Sequence, residues 1–220
     1  TILQYLPSFE GGLSLSAEKC SELAGRFRTI LAGPGWGRGA TRATSLANLL
    51  ESWNGVMVLD ADALNMIADT DLLAKSQARI IITPHLAEMA RLCQTTVADV
   101  AENQVEIARK FAGKNRVTVV LKSAITVIAD HRGVTYICSR PNSGLARGGS
   151  GDLLSGIIAG LAATGIPELH AAIAGVFLLA EAADLTRSEL GADSMSISEV
   201  ASFIPKAFRS LRGENITESR

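Results

Sequence analysis

The sequence is poor in cysteine, and the few that it has show no pairing pattern. Its 220 residues include three cysteines, Cys20, Cys93 and Cys138, an odd number with no CxxC spacing. A disulfide framework and a zinc site are therefore not expected. We predict buried thiols in a reducing compartment, the cytoplasm.

The chain also lacks an excess of one charge, aromatic residues and a long hydrophobic run. Its 21 basic and 22 acidic residues leave a formal net charge of -1, and aromatic residues make up 5%. Nucleic acid is therefore not an expected partner. No basic stretch followed by an apolar core marks a signal peptide. The most apolar run, 171–180, is shorter than the ~20 residues that a membrane helix needs, so no membrane partner is expected.

Apolar residues, by contrast, are plentiful, at 47% of the chain, which is enough for a sizeable core. Short β-rich runs alternate with helical segments. The predicted strands cover 29–32, 56–59, 80–82, 117–121, 126–129 and 134–138. The predicted helices cover 40–53, a stretch from 63, 86–92, 97–111, 152–163 and 169–189.

This alternation predicts an α/β three-layer sandwich. Continuous apolar strands separated by helices are typical of a mostly parallel sheet with helices on both faces. The last two strands form a β-hairpin. We predict a single domain over residues 1–212 and a polar tail over 213–220.

The segment GGSGD is the strongest candidate for chemistry. Gly148, Gly149 and Gly151 surround Ser150, and Asp152 opens an apolar helix. Glycines let successive N–H groups converge on a phosphate, and the helix N-terminus adds partial positive charge. A carboxylate there is badly placed to hold phosphate but well placed to accept a proton from an attacking hydroxyl. Alternatively, Asp152 only caps the helix and the glycines form a tight turn.

Three further polar clusters follow predicted strands, namely GPGWGRG (33–39), DAD (60–62) and TPH (83–85). Because ligands bind at the carboxyl ends of parallel strands, these clusters are expected to share one rim. Gly35 and Gly37 would let a ligand approach the backbone. The alternative is a strand-to-helix turn with Trp36 packed as a lid.

Side chains in the remaining clusters each allow two interpretations. Asp60 and Asp62 alternate, so on an extended strand end they would point to the same side and suit water-mediated magnesium or hydroxyl recognition. Alternatively, Asp62 caps the helix that follows. His85 either contacts a ligand or is structural. Lys122 ends a strand four residues before Thr126, and it either meets a phosphate or is solvated.

Together these clusters resemble the ADP/ATP-dependent NAD(P)H-hydrate dehydratases of the ribokinase-like superfamily. The block at 142–163 is the most specific. GGSGD by itself indicates only a ribokinase-like kinase, while DADALN together with TPHxxE narrows the match to the dehydratases. The matching blocks are AGPGWGRG (32–39), VLDADALN (58–65), ITPHLAEMARL (82–92), LKSAITVI (121–128) and NSGLARGGSGDLLSGIIAGLAA (142–163).

The resemblance implies a ribokinase-like fold and a repair reaction. The family restores NADH and NADPH hydrated at C6 of the nicotinamide ring: ADP or ATP, with Mg²⁺, phosphorylates the hydroxyl, and phosphate then leaves. It implies that Asp152 is the catalytic base. The implied substrate-binding residues are Gly35, Gly37, Asp62, His85, Asn142 and Asp152. The implied nucleotide-binding residues are Lys122, Ser123, Ala124, Ile125, Thr126, Gly149, Ser150 and Gly151.

Two features depart from the family's pattern. Ser123 stands where the family usually has glycine. The family's domain begins with further β/α units, whereas this chain starts at Thr1 with nothing that resembles them. We expect either a fragment or another segment that supplies those strands.

Further expectations concern partners and rival functions. A homo-oligomer is expected by resemblance, as is an NAD(P)H-hydrate epimerase domain or protein. The rival functions are a vitamin or sugar kinase of the same superfamily and a non-catalytic nucleotide-binding module.

Overall fold

The computed structural model describes residues 8–9, 12–37 and 39–213. Its strands are β1 (Ser8–Phe9), β2 (Gly12–Leu13), β3 (Thr29–Ala32), β4 (Val56–Leu59), β5 (Arg79–Ile82), β6 (Thr118–Leu121), β7 (Thr126–Ala129) and β8 (Thr135–Cys138). Its helices are α1 (Ala17–Arg26), α2 (Ala40–Ser52), α3 (Asp62–Ile67), α4 (Leu72–Lys75), α5 (Leu86–Cys93), α6 (Val97–Glu102), α7 (Gln104–Asn115), α8 (Ser150–Ala163), α9 (Glu168–Leu190) and α10 (Ile197–Leu211).

A six-stranded sheet in the order β3-β4-β5-β6-β7-β8 forms the middle layer. The pairs β3–β4, β4–β5 and β5–β6 are parallel, and β6–β7 and β7–β8 are antiparallel. The β7–β8 turn is built around Asp130, whose Oδ1 accepts the N–H groups of Arg132 and Val134 at 3.0 and 2.9 Å. The predicted mostly parallel sheet and its hairpin are confirmed.

Helices cover both faces of this sheet because strand side chains alternate between them. Met57 and Leu59 pack with α1 to α7, whereas Val56 and Val58 pack with α8, α9 and α10. The predicted three-layer α/β arrangement is therefore confirmed. The predicted domain range, 1–212, stays a prediction.

The helix α9 is the buried centre of one layer. By length and composition, this 23-residue helix is long and apolar enough to cross a membrane. The prediction from the sequence was based only on its most apolar run, 171–180. However, 61% of the apolar 18-residue stretch within this helix is buried inside the protein. It packs between α8 and α10, so internal packing accounts for its apolar surface.

Several boundaries differ from the prediction. The predicted helix 97–111 is two helices, α6 and α7, separated at Asn103, whose φ of -122° is not helical. The helix predicted from 152 begins at Ser150. The helices α1, α4 and α10 were not predicted; Pro205 lies inside α10 and obscures its pattern. Apart from Gly213, the predicted polar tail lies outside the described residues.

All three cysteines are free thiols. Cys20 and Cys138 are buried, as predicted, and burial raises the pKa of the Cys20 thiol. Cys93 is only half-buried, which corrects the expectation for that residue.

Candidate active site

The predicted polar clusters meet at one rim of the sheet. Parallel strands β3 to β6 all end at this edge, so the segments 33–37, 60–62, 83–85 and residue 122 follow one another around it. His85 and Lys122 form an isolated parallel bridge, and the Lys122 N–H donates to the Pro84 carbonyl at 2.8 Å. The expectation of a shared rim is confirmed for these clusters.

A buried ion pair joins two of these strand ends. The Lys122 Nζ lies 2.8 Å from Asp60 Oδ1, which also accepts the Ala61 N–H at 2.9 Å. The Asp60 side chain is 2% exposed and that of Lys122 20% exposed. A Cβ placed on Gly151 would lie 3.0 Å from the Lys122 Nζ. The ammonium group therefore lies directly against the glycine turn, so two predicted nucleotide-binding residues are brought together.

The glycine turn forms the N-terminus of α8 and presents free donors. Gly149 has a φ of 90°, a left-handed conformation that favours glycine, and it is the N-cap residue. The N–H groups of Gly149, Gly151 and Asp152 find no backbone acceptor in the described chain, apart from any bonds within the helix itself. Ser150 is tied back instead, with its N–H and hydroxyl on the Arg147 carbonyl. N–H groups arranged in this way at a helix N-terminus are typical of an anion-binding site.

Asp152 is the third residue of α8 and does not cap it. The N-cap is Gly149, and no side-chain cap hydrogen bond is present, so the capping interpretation is wrong. Residue Asp152 is exposed, and no donor to its carboxylate is found in the part of the chain that the structure describes. A carboxylate in this position, without a donor among the described residues, is available to a substrate hydroxyl.

The DAD segment corrects the expectation that its two carboxylates point the same way. Ala61 has a φ of 50°, so the backbone is not extended there. Asp60 faces Lys122, while Asp62 Oδ2 accepts the Gly37 N–H at 2.7 Å. Asp62 is the first residue of α3 rather than its cap. The two aspartates therefore serve different neighbours.

The loop that follows β3 packs closely over the DAD segment. A Cβ on Gly33 would lie 1.8 Å from the Asp60 carbonyl oxygen, so only glycine fits there. Gly35 and Gly37 are exposed and have φ values of 67° and 69°, which favour glycine. The Gly35 backbone is accessible to a ligand, whereas the Gly37 N–H already donates to Asp62. Trp36 is half-buried and packs against the core, in line with the lid interpretation.

His85 is structural and accessible at once. Its Nδ1 accepts the N–H groups of Ala87 and Glu88 at 3.1 and 3.3 Å, which caps α5. Glu88 Oε2 accepts the His85 N–H at 2.8 Å and completes a capping box. The ring is still 50% exposed at the rim. Nε2 of the same ring lies 3.4 Å from Glu88 Oε1.

The contribution of His85 to capping α5 is measurable independently of ligand binding, from the stability of two variants. We expect His85→Ala to lower the free energy of unfolding by about 1 kcal/mol, because the helix loses its cap. Asparagine is a good N-cap, so His85→Asn should keep most of that stability. Urea unfolding of the two variants measures this difference. Equal destabilisation by both substitutions would contradict the capping role.

The predicted nucleotide turn, 122–126, is held by a residue that the sequence reasoning missed. The Ser123 hydroxyl oxygen lies 2.7 Å from Gln104 Oε1 and 2.6 Å from the Ile125 carbonyl oxygen. It also accepts the Ile125 N–H at 3.3 Å. The Ser123 side chain therefore forms hydrogen bonds within the turn and to Gln104. Gln104 opens α7, at the helix break that the sequence did not predict.

Asn142 belongs to a polar network behind the glycine turn. Its Nδ2 donates to Asp184 at 3.0 Å and its Oδ1 accepts the Gly144 N–H at 3.0 Å. Arg140 bridges Asp184 and Glu181 in the same network, and the Ser210 hydroxyl together with Arg140 holds the pKa of Glu181 below its usual value. Both ends of the Asn142 amide therefore have protein partners, and its predicted substrate contact stays a prediction.

Comparison with known proteins agrees with this geometry. The chain is 38% identical over 206 residues to the bifunctional NAD(P)H-hydrate repair enzyme of Moorella thermoacetica, covering 93% of this chain and 39% of that protein. It is 41% identical over 191 residues to the ADP-dependent (S)-NAD(P)H-hydrate dehydratase of Neisseria meningitidis, covering 85% and 63%. The chain thus spans less than two thirds of the length of these relatives.

Solved structures match as well. The ADP/ATP-dependent NAD(P)H-hydrate dehydratase of Bacillus subtilis, co-crystallised with ATP/Mg²⁺, aligns with a TM-score of 0.76 and 28% identity over 83% of this chain and 64% of its own. A ribokinase-like superfamily protein of Enterococcus faecalis, at 24% identity and a TM-score of 0.72 over 90% of this chain and 69% of its own, confirms the ribokinase-like fold. A family model described as NAD(P)H-hydrate dehydratase matches residues 2–206, so the chain belongs to the NAD(P)H-hydrate dehydratase family.

Proposed function

We propose that this chain carries out the nucleotide-dependent dehydration of C6-hydrated NADH and NADPH. One observation carries the proposal. The Lys122 ammonium lies against Gly151, and Asp152 follows Gly151 directly in the first turn of α8. Within the described residues, the N–H groups of Gly149 and Gly151 have no acceptor outside the helix and the Asp152 carboxylate has no donor. A phosphate and an attacking hydroxyl would both find a suitable partner there.

The first step is phosphoryl transfer. The C6 hydroxyl oxygen attacks the terminal phosphorus of the nucleotide, the anhydride P–O bond breaks, and the shortened nucleotide leaves with the electron pair. Asp152 accepts the hydroxyl proton. The turn amides and the Lys122 ammonium stabilise the charge on the transferred phosphoryl oxygens.

The second step is elimination. The lone pair of the ring nitrogen expels phosphate from C6, which leaves with the electrons of the C–O bond. Loss of a proton from C5 then restores the ring double bond. A bare hydroxide leaves far less readily than phosphate, so the nucleotide is needed. The hydrate becomes NAD(P)H, and the nucleotide becomes phosphate and a shortened nucleotide.

The donor set fits a magnesium ion that is carried by the nucleotide. Among the described residues, no three His, Cys, Asp or Glu side chains form a metal cluster. Mg²⁺ is typically held by one or two carboxylates together with phosphates and waters. Asp60 would supply such a carboxylate through a water molecule; its Oδ2 lies 3.6 Å from the Cβ position of Gly151. A bound ion would neutralise phosphate charge.

The proposal includes the location of the protein, its phosphoryl donor, its oligomeric state and its partner. A cytoplasmic location is supported by three free cysteines. Either ADP or ATP serves as donor, and a homo-oligomer is expected by resemblance. An epimerase domain or protein is a further expected partner; the Moorella relative is named bifunctional.

Incubation with hydrated NADH and ADP or ATP tests the proposal. We expect the absorbance band of the reduced nicotinamide to return, with one phosphate released for each ring restored. No return of absorbance, with phosphorylation of a hydroxymethyl vitamin or a sugar instead, would support the rival kinase. Nucleotide binding with no phosphate release on any substrate would support the non-catalytic module.

A further inference from the structure

Arg147 lies at the base of the glycine turn and reaches across to another segment of the chain. Its guanidinium donates through NH1 to the Met195 carbonyl. Through NH2 it donates to the Ala192 and Asp193 carbonyls at 3.1 and 3.2 Å. One side chain thus contacts three backbone carbonyls of the segment 192–195, between α9 and α10.

The same segment supports the turn on both sides of Arg147. On one side, Met195 is buried against Gly144, where a Cβ would lie 2.5 Å from the sulfur. On the other, Ile197 lies 3.8 Å from the Cβ position of Gly149. Arg147 also carries the carbonyl that accepts both Ser150 hydrogen bonds. The turn is therefore held to residues 192–197 by the hydrogen bonds of Arg147 and by the contacts of Met195 and Ile197.

We propose that Arg147 is a positioning residue that pre-forms the phosphate-binding turn by clamping residues 144–150 to the segment 192–195. This inference rests on the proposed nucleotide site. A free glycine-rich turn samples many conformations, and ordering it on binding costs free energy. With the clamp, the turn is already ordered when the protein folds, so its free N–H groups converge before the nucleotide binds.

The fork geometry of arginine suits this task. A planar guanidinium directs several N–H groups in fixed directions and satisfies three carbonyl oxygens at once. A lysine carries the same charge on a single rotating ammonium group and cannot reproduce the fork. The clamp therefore distinguishes arginine from lysine, whereas a general electrostatic role would not.

The test measures ADP binding by calorimetry and steady-state kinetics for the wild type, Arg147→Ala and Arg147→Lys. We expect the dissociation constant for ADP to rise about tenfold in Arg147→Ala, equivalent to about 1.4 kcal/mol. Arg147→Lys should recover little of this loss. The KM for the nucleotide should rise while that for the hydrate stays unchanged. Guanidinium ion at low millimolar concentration should restore ADP affinity to Arg147→Ala.

Controls separate the possible failures. Arg109→Ala removes an arginine that pairs with Glu106 on the surface of α7 and should leave ADP binding unchanged. Thermal unfolding shows whether each variant is folded. Equal ADP affinity in folded Arg147→Ala and wild type would overturn the clamp, as would full recovery by lysine. Failure of the wild type to bind ADP would instead contradict the proposed function.

Discussion

Asp152→Asn is expected to lower the turnover number for the hydrate by about 10²–10⁴-fold, because the amide cannot accept the hydroxyl proton. The affinity for ADP or ATP should stay close to that of the wild type. The donors that meet phosphate are backbone N–H groups and Lys122, and neither is altered. The recovery of reduced-nicotinamide absorbance measures turnover, and calorimetry measures nucleotide affinity.

A matched control for this substitution lies in another helix. Glu18 also occupies the first turn of a helix, α1, and is exposed. Glu18→Gln should therefore leave turnover unchanged. Turnover in Asp152→Asn within a few-fold of the wild type would rule out this aspartate as the base.

Lys122→Met is expected to reduce the free energy of unfolding by about 3 kcal/mol, since it leaves the buried Asp60 carboxylate without its partner. The double variant Asp60→Asn/Lys122→Met should regain part of this loss, because no uncompensated charge then remains. Nucleotide affinity should fall in both variants. Urea unfolding measures the stabilities.

An exposed ion pair provides the comparison. Lys75 pairs with Asp71 at 3.0 Å, and their side chains are 57% and 69% exposed. Lys75→Met should produce no measurable change in stability, because water already screens this pair. Similar stability losses in Lys75→Met and Lys122→Met would contradict the buried pair at the rim.

The rim was predictable because it depends on strand order and direction. Apolar runs that alternate with helices predict parallel strands, and parallel strands place the residues after them at one edge. This is why the segments that contain Asp60 and His85 were expected near one another, whereas the ion pair between Asp60 and Lys122, 62 positions apart, was not predicted. The glycine turn was recognisable from its local composition alone.

The contacts that shape the rim were not predictable in the same way. The positive φ of Ala61, which turns Asp60 and Asp62 to different neighbours, is not indicated by its residue type. The hydrogen bond from Arg147 to the Met195 carbonyl joins residues 48 positions apart, with the helices α8 and α9 between them. No glycine or proline marks the helix break at Asn103, which sets Gln104 against Ser123.

The most direct test of the central claim is a crystal structure of Asp152→Asn with ATP and hydrated NADH, in which slow turnover preserves the complex. We expect the terminal phosphate within about 3.2 Å of the Gly149 or Gly151 N–H and of the Lys122 Nζ, with the side chain at 152 facing the C6 hydroxyl. A phosphate bound away from this turn, or residue 152 directed into solvent, would contradict the account.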